Sequence, residues 1–470
     1  MKYDVIIIGS GLGGLECGVL LSRRGKSVLV LERSNQPGGC MQSFSRRGFG
    51  FDTGLHYVGG LDKGQSLHEA FSQLGLLSLP WHRMDRLFDR VVLDDEEFCY
   101  SQGRDEFVQT LSEKFPSESR ALKQYADYIS NAPFDSIDVN AYDYLNKHFD
   151  DARLISVLAA TSLKTEINRD TMPLFSLAHS VNGYIESSYR LGADGNALVS
   201  CLVSQIKANG GDVICSADVV RLVEQNGRIV SAETADGGHY EASHFISDIH
   251  PHTVCQLLSE SKVIKKAYRT RMASLANTNG IFTVQLVLKE DARLKYFNYN
   301  KYIYPEGDVW SSHGLMVSAR VPHDGSEYVR QIDLLSALPW CECSAWQGST
   351  LGHRPIDYQM MKECWAQNCI SIVEDYFLPG LSSKIDQIYT STPLTYRDYL
   401  GAIDGSAFGI RKDSSRALQT FLSVRTAVPN LLLTGQNVFL PGVEGVTKTA
   451  FITCSELIGE DLLNNSFDKL

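Results

Sequence analysis

The chain has 470 residues, 43% of them hydrophobic and 21% charged, a globular composition long enough for two or three units of core. Its formal charge of -11 argues against a nucleic-acid partner, because phosphate binding needs a basic surface. No apolar run approaches the roughly 20 residues of a membrane-spanning helix, and eleven cysteines without a regular framework, with no signal-peptide pattern at the start, predict a cytoplasmic protein with free thiols, peripheral membrane contact remaining open.

The opening "MKYDVIIIGSGLGGLECGVLL" predicts a buried strand over Val5–Ile8, a sharp turn, and a helix from Leu15 to about Arg23. Gly9, Gly11 and Gly14 have the G-x-G-x-x-G spacing, with Gly13 inside it. In that pattern the first glycine allows the tight turn, the second lets a pyrophosphate approach the backbone, and the third lets helix and strand pack closely. The helix start then offers free N–H groups and a positive dipole end to phosphate. A second strand, Ser27–Leu31, ends at Glu32, close to the offset expected for the acid that holds ribose hydroxyls; a solvated strand end is the alternative. Gly38 and Gly39 form a second glycine loop, which suits a cofactor running past the pyrophosphate toward another domain. The segment Phe51 to Tyr57 makes a compact loop that either passes a ring system or is a surface turn.

The region from about Pro80 to Leu191 is largely helical in pattern, with "DEFVQTLSEKF" and "SESRALKQYADYIS" carrying apolar residues three and four apart. A helix over Asn196–Asn209 places Leu198, Leu202 and Ile206 on one face and stops at Gly210 and Gly211. Strands follow near Val213 and over Val219–Val223. The "QNG" at Gln225–Gly227 signals a hairpin into a strand over Arg228–Thr234, and Phe245–Ser247 reads as a strand rejoining the parent sheet. From about Thr253 to Gly405 the pattern mixes strands with turns. The last helix, roughly Val446 to Leu463, places Ala450, Phe451, Cys454, Leu457 and Ile458 on one face. Its start either faces a ligand, where it would stabilise negative charge, or simply packs on the sheet.

Three stretches carry a resemblance: "GSGLGGLECGVLLSRRGKSVLVLERSNQPGG" with "FDTGLHYVGG", the middle run "ANGGDVICSADVVRLVEQNGRIVSAETADGGHYEASHFISDIHP", and "PNLLLTGQNVFLPGVEGVTKTAFITCSELIG". Together they resemble the FAD-dependent phytoene desaturase, carotenoid isomerase and retinol saturase family. The resemblance implies an α/β, Rossmann-like FAD-binding domain of the glutathione reductase-like, two-dinucleotide-binding-domain type, with an inserted α+β substrate domain. The expected division is 1–79, 192–252 and 406–470 for FAD, and 80–191 with 253–405 for substrate. By position, Gly9, Gly11, Gly13 and Gly14 would approach the pyrophosphate and Glu32, with Arg33, the adenosine. Gly38, Gly39, Ser43 and His56 would lie along the flavin side. Val219 would lend its backbone to adenine, and Gly435 and Asn437 would face the pyrophosphate and ribityl region. Glu444, Gly445 and Val446 would sit beside the isoalloxazine. Asn437 stands where many relatives carry an aspartate, and Arg190 to Gly195 replaces their Pro-x-Gly-Gly run.

The titratable residues expected near the ring are His56, Tyr57, Glu444 and Lys448, and the expected catalytic set is His56, Tyr57 and Glu444. His56 is the first choice of proton donor, since imidazole gives and takes a proton near neutrality; its alternative is a hydrogen bond to loop or cofactor. Glu444 either tunes the flavin or caps a helix in solvent, and Lys448 is expected to be exposed. "RLKYFNYNKYIYPEGDVW" suits a membrane interface or tunnel mouth, with ordinary strand residues the favoured reading. Cys341 and Cys343 read as idle thiols, His250 and His252 as loop residues, and no metal site or G-x-S-x-G nucleophile is expected. The expected activity is saturation, desaturation or isomerisation of a double bond in a long apolar polyene, with FAD as cofactor and NAD(P)H as a candidate electron donor. The alternatives are a flavin oxidase of an amine or other small polar substrate, and a non-catalytic prenyl-lipid escort. Oligomeric state is not read from the sequence.

Overall fold

A computed structural model describes residues 2–462 apart from 167, 311–313 and 323–324. The first strand, β1 (Lys2–Ile8), is continuously buried from Val5 and pairs in parallel with β2 (Val28–Leu31). Helix α1 (Leu12–Ser22) between them is buried on every side, as residues that are apolar or small except for Glu16 allow, and the buried Glu16 carboxyl accepts the Thr447 hydroxyl at 2.8 Å. It starts earlier than the apolar spacing predicts, because Gly11 ends the turn and the small Gly13 and Gly14 enter the first helical turn.

Helix α2 (Gly195–Ala208) buries Leu198, Leu202 and Ile206 as predicted and leads to β3 (Asp212–Ile214) on the far side of β2. Strands β4 (Val219–Gln225) and β5 (Arg228–Thr234) form the predicted hairpin. Its turn residues Asn226 and Gly227 have φ of +49° and +77°, the left-handed pair that a two-residue hairpin demands. Strand β6 (His239–Ser247) leaves this meander antiparallel and runs on beside β1 in parallel. Its last three residues also pair with β7 (Leu431–Leu433). At that end the parallel order is 3-2-1-6-7, a Rossmann arrangement in which a β-meander replaces a crossover helix. Helix α3 (Gly442–Ile458) returns across α1, burying Ala450, Phe451 and Cys454, and stops at Gly459 with φ +73°. Leu463, the expected end, lies outside the described residues.

A second seven-stranded sheet takes the strands Leu87–Leu93, Glu96–Ser101, Gly280–Leu288, Asn300–Tyr304, Leu315–Ala319, Gln331–Leu338 and Ile385–Ser391. The first two belong to the stretch whose spacing reads as helical. They pair through Leu87–Leu93 with Asn300–Tyr304 and enter the sheet by long-range pairing. The stretch from Thr253 to Gly405 also holds a 21-residue helix, Ile356–Tyr376, where only strands and turns are expected. It lays Tyr358, Ala366, Cys369, Ile370 and Val373 on the sheet's apolar face beside Phe282, Val284 and Leu286. The aromatic–lysine run is sheet interior: Tyr302 and Tyr304 are buried, and Lys301 pairs with Glu97 at 2.8 Å. Of the two histidines read as loop residues, His252 lies inside the helix Pro251–Leu257, while His250 is just outside it. His250 caps the helix Pro251–Leu257, accepting the His252 N–H on its Nδ1.

Candidate functional site

The carboxyl ends of β1, β2 and β6 open on one elongated cavity of about 360 Å3. The Gly9–Gly13 turn, Glu32, Val219 and the start of α3 all line it, so the N-terminal glycine turn and the segment from Gly442 to Val446 face the same space. Such a crevice beyond the carboxyl ends of parallel strands is where ligands bind in open α/β sheets.

Glu32 is held rigidly at its outer end. One carboxylate oxygen accepts the Ser10 N–H at 2.9 Å and the Ser10 hydroxyl at 2.6 Å; the other accepts the Ser34 N–H at 2.7 Å. With three of its four lone-pair sites filled, the carboxylate keeps one for a ribose hydroxyl. The second glycine loop rests on the first: Gly38 donates to the Ser10 carbonyl at 2.9 Å, and a Cβ on Gly39 would stand 3.1 Å from Gly11 Cα. Beneath both lies Asp248, which sequence reading missed although it directly follows β6. A Cβ on Gly11 or Gly435 would run into its carboxyl, and Gly14 donates a backbone hydrogen bond to it. Burial, with the Glu32 charge adding to it, pushes the Asp248 carboxyl up to about 7. Gly9 donates its N–H to the Leu31 carbonyl at 2.9 Å, and the absence of side chains at Gly11 and Gly13 brings the backbone at the start of α1 to the cavity wall, the arrangement a pyrophosphate fits.

Of the residues named from sequence, Gly9, Gly11, Gly13, Glu32, Arg33, Gly39, His56, Tyr57, Val219, Asn437 and Val446 line this cavity. Gly14, Gly38 and Gly435 shape its floor from behind, through the close packing just described. Ser43 is displaced from the expected role. Its hydroxyl donates to Asp52 at 2.7 Å and accepts the Asn196 N–H at 3.2 Å, so it secures the start of α2 instead. Asn437 Oδ1 accepts the Ile410 N–H at 3.1 Å, leaving its amide N–H groups for a ligand. Glu444 and Gly445 line a separate chamber of about 60 Å3 behind the start of α3. There Glu444 pairs with Lys448 at 2.7 Å, and Lys448 is buried rather than exposed.

Beyond Cys40 and Thr53 the large cavity becomes apolar, walled by Leu163, Ile281, Met316, Leu335, Ala407 and Phe408. His56 sits at this transition with Nδ1 3.9 Å from Asp333. Burial and the Arg320 and Arg190 guanidiniums push its imidazole down to about 4, so it is neutral at pH 7 and carries no proton to donate as an imidazolium. Tyr57 donates to Asp89 at 2.8 Å and lies 2.8 Å from the Tyr302 hydroxyl, so its phenol belongs to a buried network. Among the described residues, no cluster of His, Cys, Asp or Glu is placed to hold a metal, and no helix is long and apolar enough to cross a membrane. Cys341 is exposed and Cys343 buried, both as free thiols.

Residues 7–74 match the family model of an NAD(P)-binding Rossmann-like domain. The chain is 26% identical to all-trans-retinol 13,14-reductase of Rattus norvegicus, over 99% of its own length and 87% of that protein's. It is 25% identical to the chloroplastic prolycopene isomerase of Daucus carota, over 98% of its length and 80% of the relative's. Its fold matches the crystal structure of an oxidoreductase from Methanosarcina mazei with a TM-score of 0.68 at 17% identity, covering 97% of this chain and all of the other. End-to-end similarity to both named groups, together with the glycine turn and the segment at the start of α3 meeting in one cavity, agrees with the resemblance to the phytoene desaturase, carotenoid isomerase and retinol saturase family.

Proposed function

We propose that this chain is an FAD-dependent reductase that saturates one double bond of a long polyene of the retinoid or carotenoid class. The observation that carries the reading is the single cavity that begins at the Gly9–Gly13 turn and ends in the apolar chamber of Leu163, Ile281, Met316 and Leu335. One end suits a dinucleotide and the other a hydrocarbon, and the similarity to a retinol reductase and a prolycopene isomerase supports a polyene.

When bound, the flavin supplies hydride to a substrate carbon. Glu32 and Val219 would hold the adenosine end, the N–H groups of Gly11 and Gly13 the pyrophosphate, and Asn437 the ribityl chain. The start of α3 directs its free N–H groups and positive dipole end into the cavity, which favours negative charge there. The apolar wall excludes water and confines the polyene, so that a reacting carbon is held near the site of transfer rather than diffusing past it. Neutral His56 serves as a hydrogen-bonding wall residue between the two halves.

The test is anaerobic reduction of the purified holoenzyme followed by mixing with all-trans-retinol and with lycopene. Reoxidation of the flavin with formation of a dihydro product is the expected result. A geometric isomer formed without net reoxidation would assign isomerisation instead, and indifference to every polyene would overturn the substrate class. The electron donor we assign is NAD(P)H, tested by whether it bleaches the oxidised flavin anaerobically.

A further inference from the structure

Lys164 ends the short turn Ala160–Lys164 that continues the helix Ala152–Ala159. Its side chain is only 7% exposed, and burying an ammonium is costly unless it is paired. Its partner is Asp89 on the strand Leu87–Leu93, fully buried, at 3.5 Å. That carboxylate also accepts from the Tyr57 hydroxyl at 2.8 Å and from the Asn300 amide at 2.9 Å. Two aromatic faces flank the ammonium, with the Tyr184 ring centroid at 4.0 Å and that of Tyr57 at 5.3 Å. Asp89 therefore holds the amine in place but does not enclose it.

The amine's position is unusual for a bracing ion pair. Lys164 is one of four residues, with Tyr184, Gly442 and Val443, that line both the large cavity and the small chamber. On one side lies the apolar wall to which Leu163 and Met316 belong. On the other lies the small chamber, whose polar lining includes Glu166, Lys412, and the hydroxyls of Thr171 and Ser176. Those two hydroxyls are buried and make no hydrogen bond among the described residues, so the chamber offers fixed polar partners to water.

We propose that Lys164 is the acid that protonates the substrate, and that the small chamber is the route by which its proton is replaced; the proposal rests on the reductase reading above. The saturated bond takes a hydride, with its electron pair, at one carbon, supplied by the reduced flavin, which is thereby oxidised. The π-electron pair forms a bond to a proton at the neighbouring carbon. That proton leaves the Lys164 ammonium, whose N–H bond breaks and whose nitrogen keeps the pair as a neutral amine. Water in the small chamber then reprotonates it. Burial lowers the amine to about 8, so releasing and regaining a proton are both accessible near neutrality. Asp89, Tyr57 and Tyr302 are positioning residues in this scheme.

The test uses three holoenzymes reduced anaerobically and mixed with all-trans-retinol: wild type, Lys164→Arg and Lys164→Ala. Retinol binding to the oxidised forms is measured separately by fluorescence quenching. Lys164→Arg keeps a cation beside Asp89 but holds its proton far too tightly to donate it. It is expected to bind retinol within about threefold of wild type while flavin reoxidation slows by about 10²–10⁴. Lys164→Ala should regain rate with added methylamine or fluoroethylamine, in proportion to the acidity of the added ammonium, a response that a merely structural ion pair would not give. Reoxidation by Lys164→Arg at the wild-type rate would overturn the assignment. Wild type that binds retinol but never reoxidises would instead overturn the reductase reading, and this proposal with it.

Discussion

Gly11 has no side chain because Asp248 occupies the place where one would go. The turn after β1 and the residue after β6 are packed so closely that a Cβ on Gly11 would run into the Asp248 carboxyl. Gly11→Ala must push that carboxyl aside or move the turn into the cavity. The expected product is a folded protein with little bound flavin, its dinucleotide affinity reduced at least about tenfold, equivalent to roughly 1.4 kcal/mol. Flavin absorbance per mole of purified protein, with circular dichroism to show folding, measures it.

Asp248 also sets a pH dependence. The unfolded carboxyl loses its proton near 3.8, whereas the folded one keeps it to about 7. Between these values the folded state binds more protons, so stability is greatest below pH 4 as far as this group is concerned and falls as pH rises through 7. The span corresponds to a few kcal/mol, about 4 at most. Asp248→Asn is expected to flatten this part of the stability profile in urea titrations at pH 5.5 and 8. It should also retain flavin better at pH 8, where the ionised wild-type carboxyl would repel a pyrophosphate.

Glu32 is bonded to Ser10 and Ser34 before any ligand arrives. Glu32→Ala removes both the anchors and the acceptor offered to ribose. A loss of about 1–3 kcal/mol for charge-assisted hydrogen bonds predicts a rise in the dissociation constant for FAD of roughly 10- to 100-fold, read by titrating apoprotein with FAD.

His56 is held neutral at pH 7, its imidazole pushed down to about 4, and under the Lys164 proposal it is not the proton source. His56→Asn, which preserves a hydrogen-bonding side chain at the wall, should leave the single-turnover reoxidation rate within about tenfold of wild type, below the 10²–10⁴ expected for loss of a general acid. Stopped-flow absorbance after mixing with retinol separates the two.

Arg320 pairs with Asp52, whose carboxylate also accepts the Ser43 hydroxyl and the Gly195 N–H at 2.7 Å each. This knot ties the strand Phe49–Asp52 to the second sheet and to the start of α2. Arg320→Met leaves a buried carboxylate without its counter-charge and is expected to destabilise by about 3–5 kcal/mol. A shift of the urea midpoint at unchanged slope is the measurement.

The Rossmann half was legible because its signals are local. Four consecutive apolar β-formers, a glycine turn and an apolar helix follow one another in sequence, and steric limits on backbone dihedrals leave few structures they can form. The hairpin at Asn226–Gly227 was readable for the same reason, since its turn needs left-handed residues, whereas the last helix was expected to run to about Leu463 and stops at Gly459. The helix Ile356–Tyr376 was missed because its charged and apolar residues do not segregate into a clean stripe, and the sheet it covers is assembled from distant strands.

By itself, then, the sequence determined a glycine turn of dinucleotide-binding spacing, an acid at Glu32 at the end of the second strand, and a final helix. Only the tertiary structure decided that Asp248 lies beneath Gly11 and Gly435, that Ser43 and Glu444 face away from the main cavity, and that Lys164 meets Asp89 at its inner end. The reason is physical. Backbone turns are governed by neighbours along the chain, whereas the protonation and direction of a buried side chain depend on the water it loses and the charges it meets, which distant segments bring to it only when the fold closes.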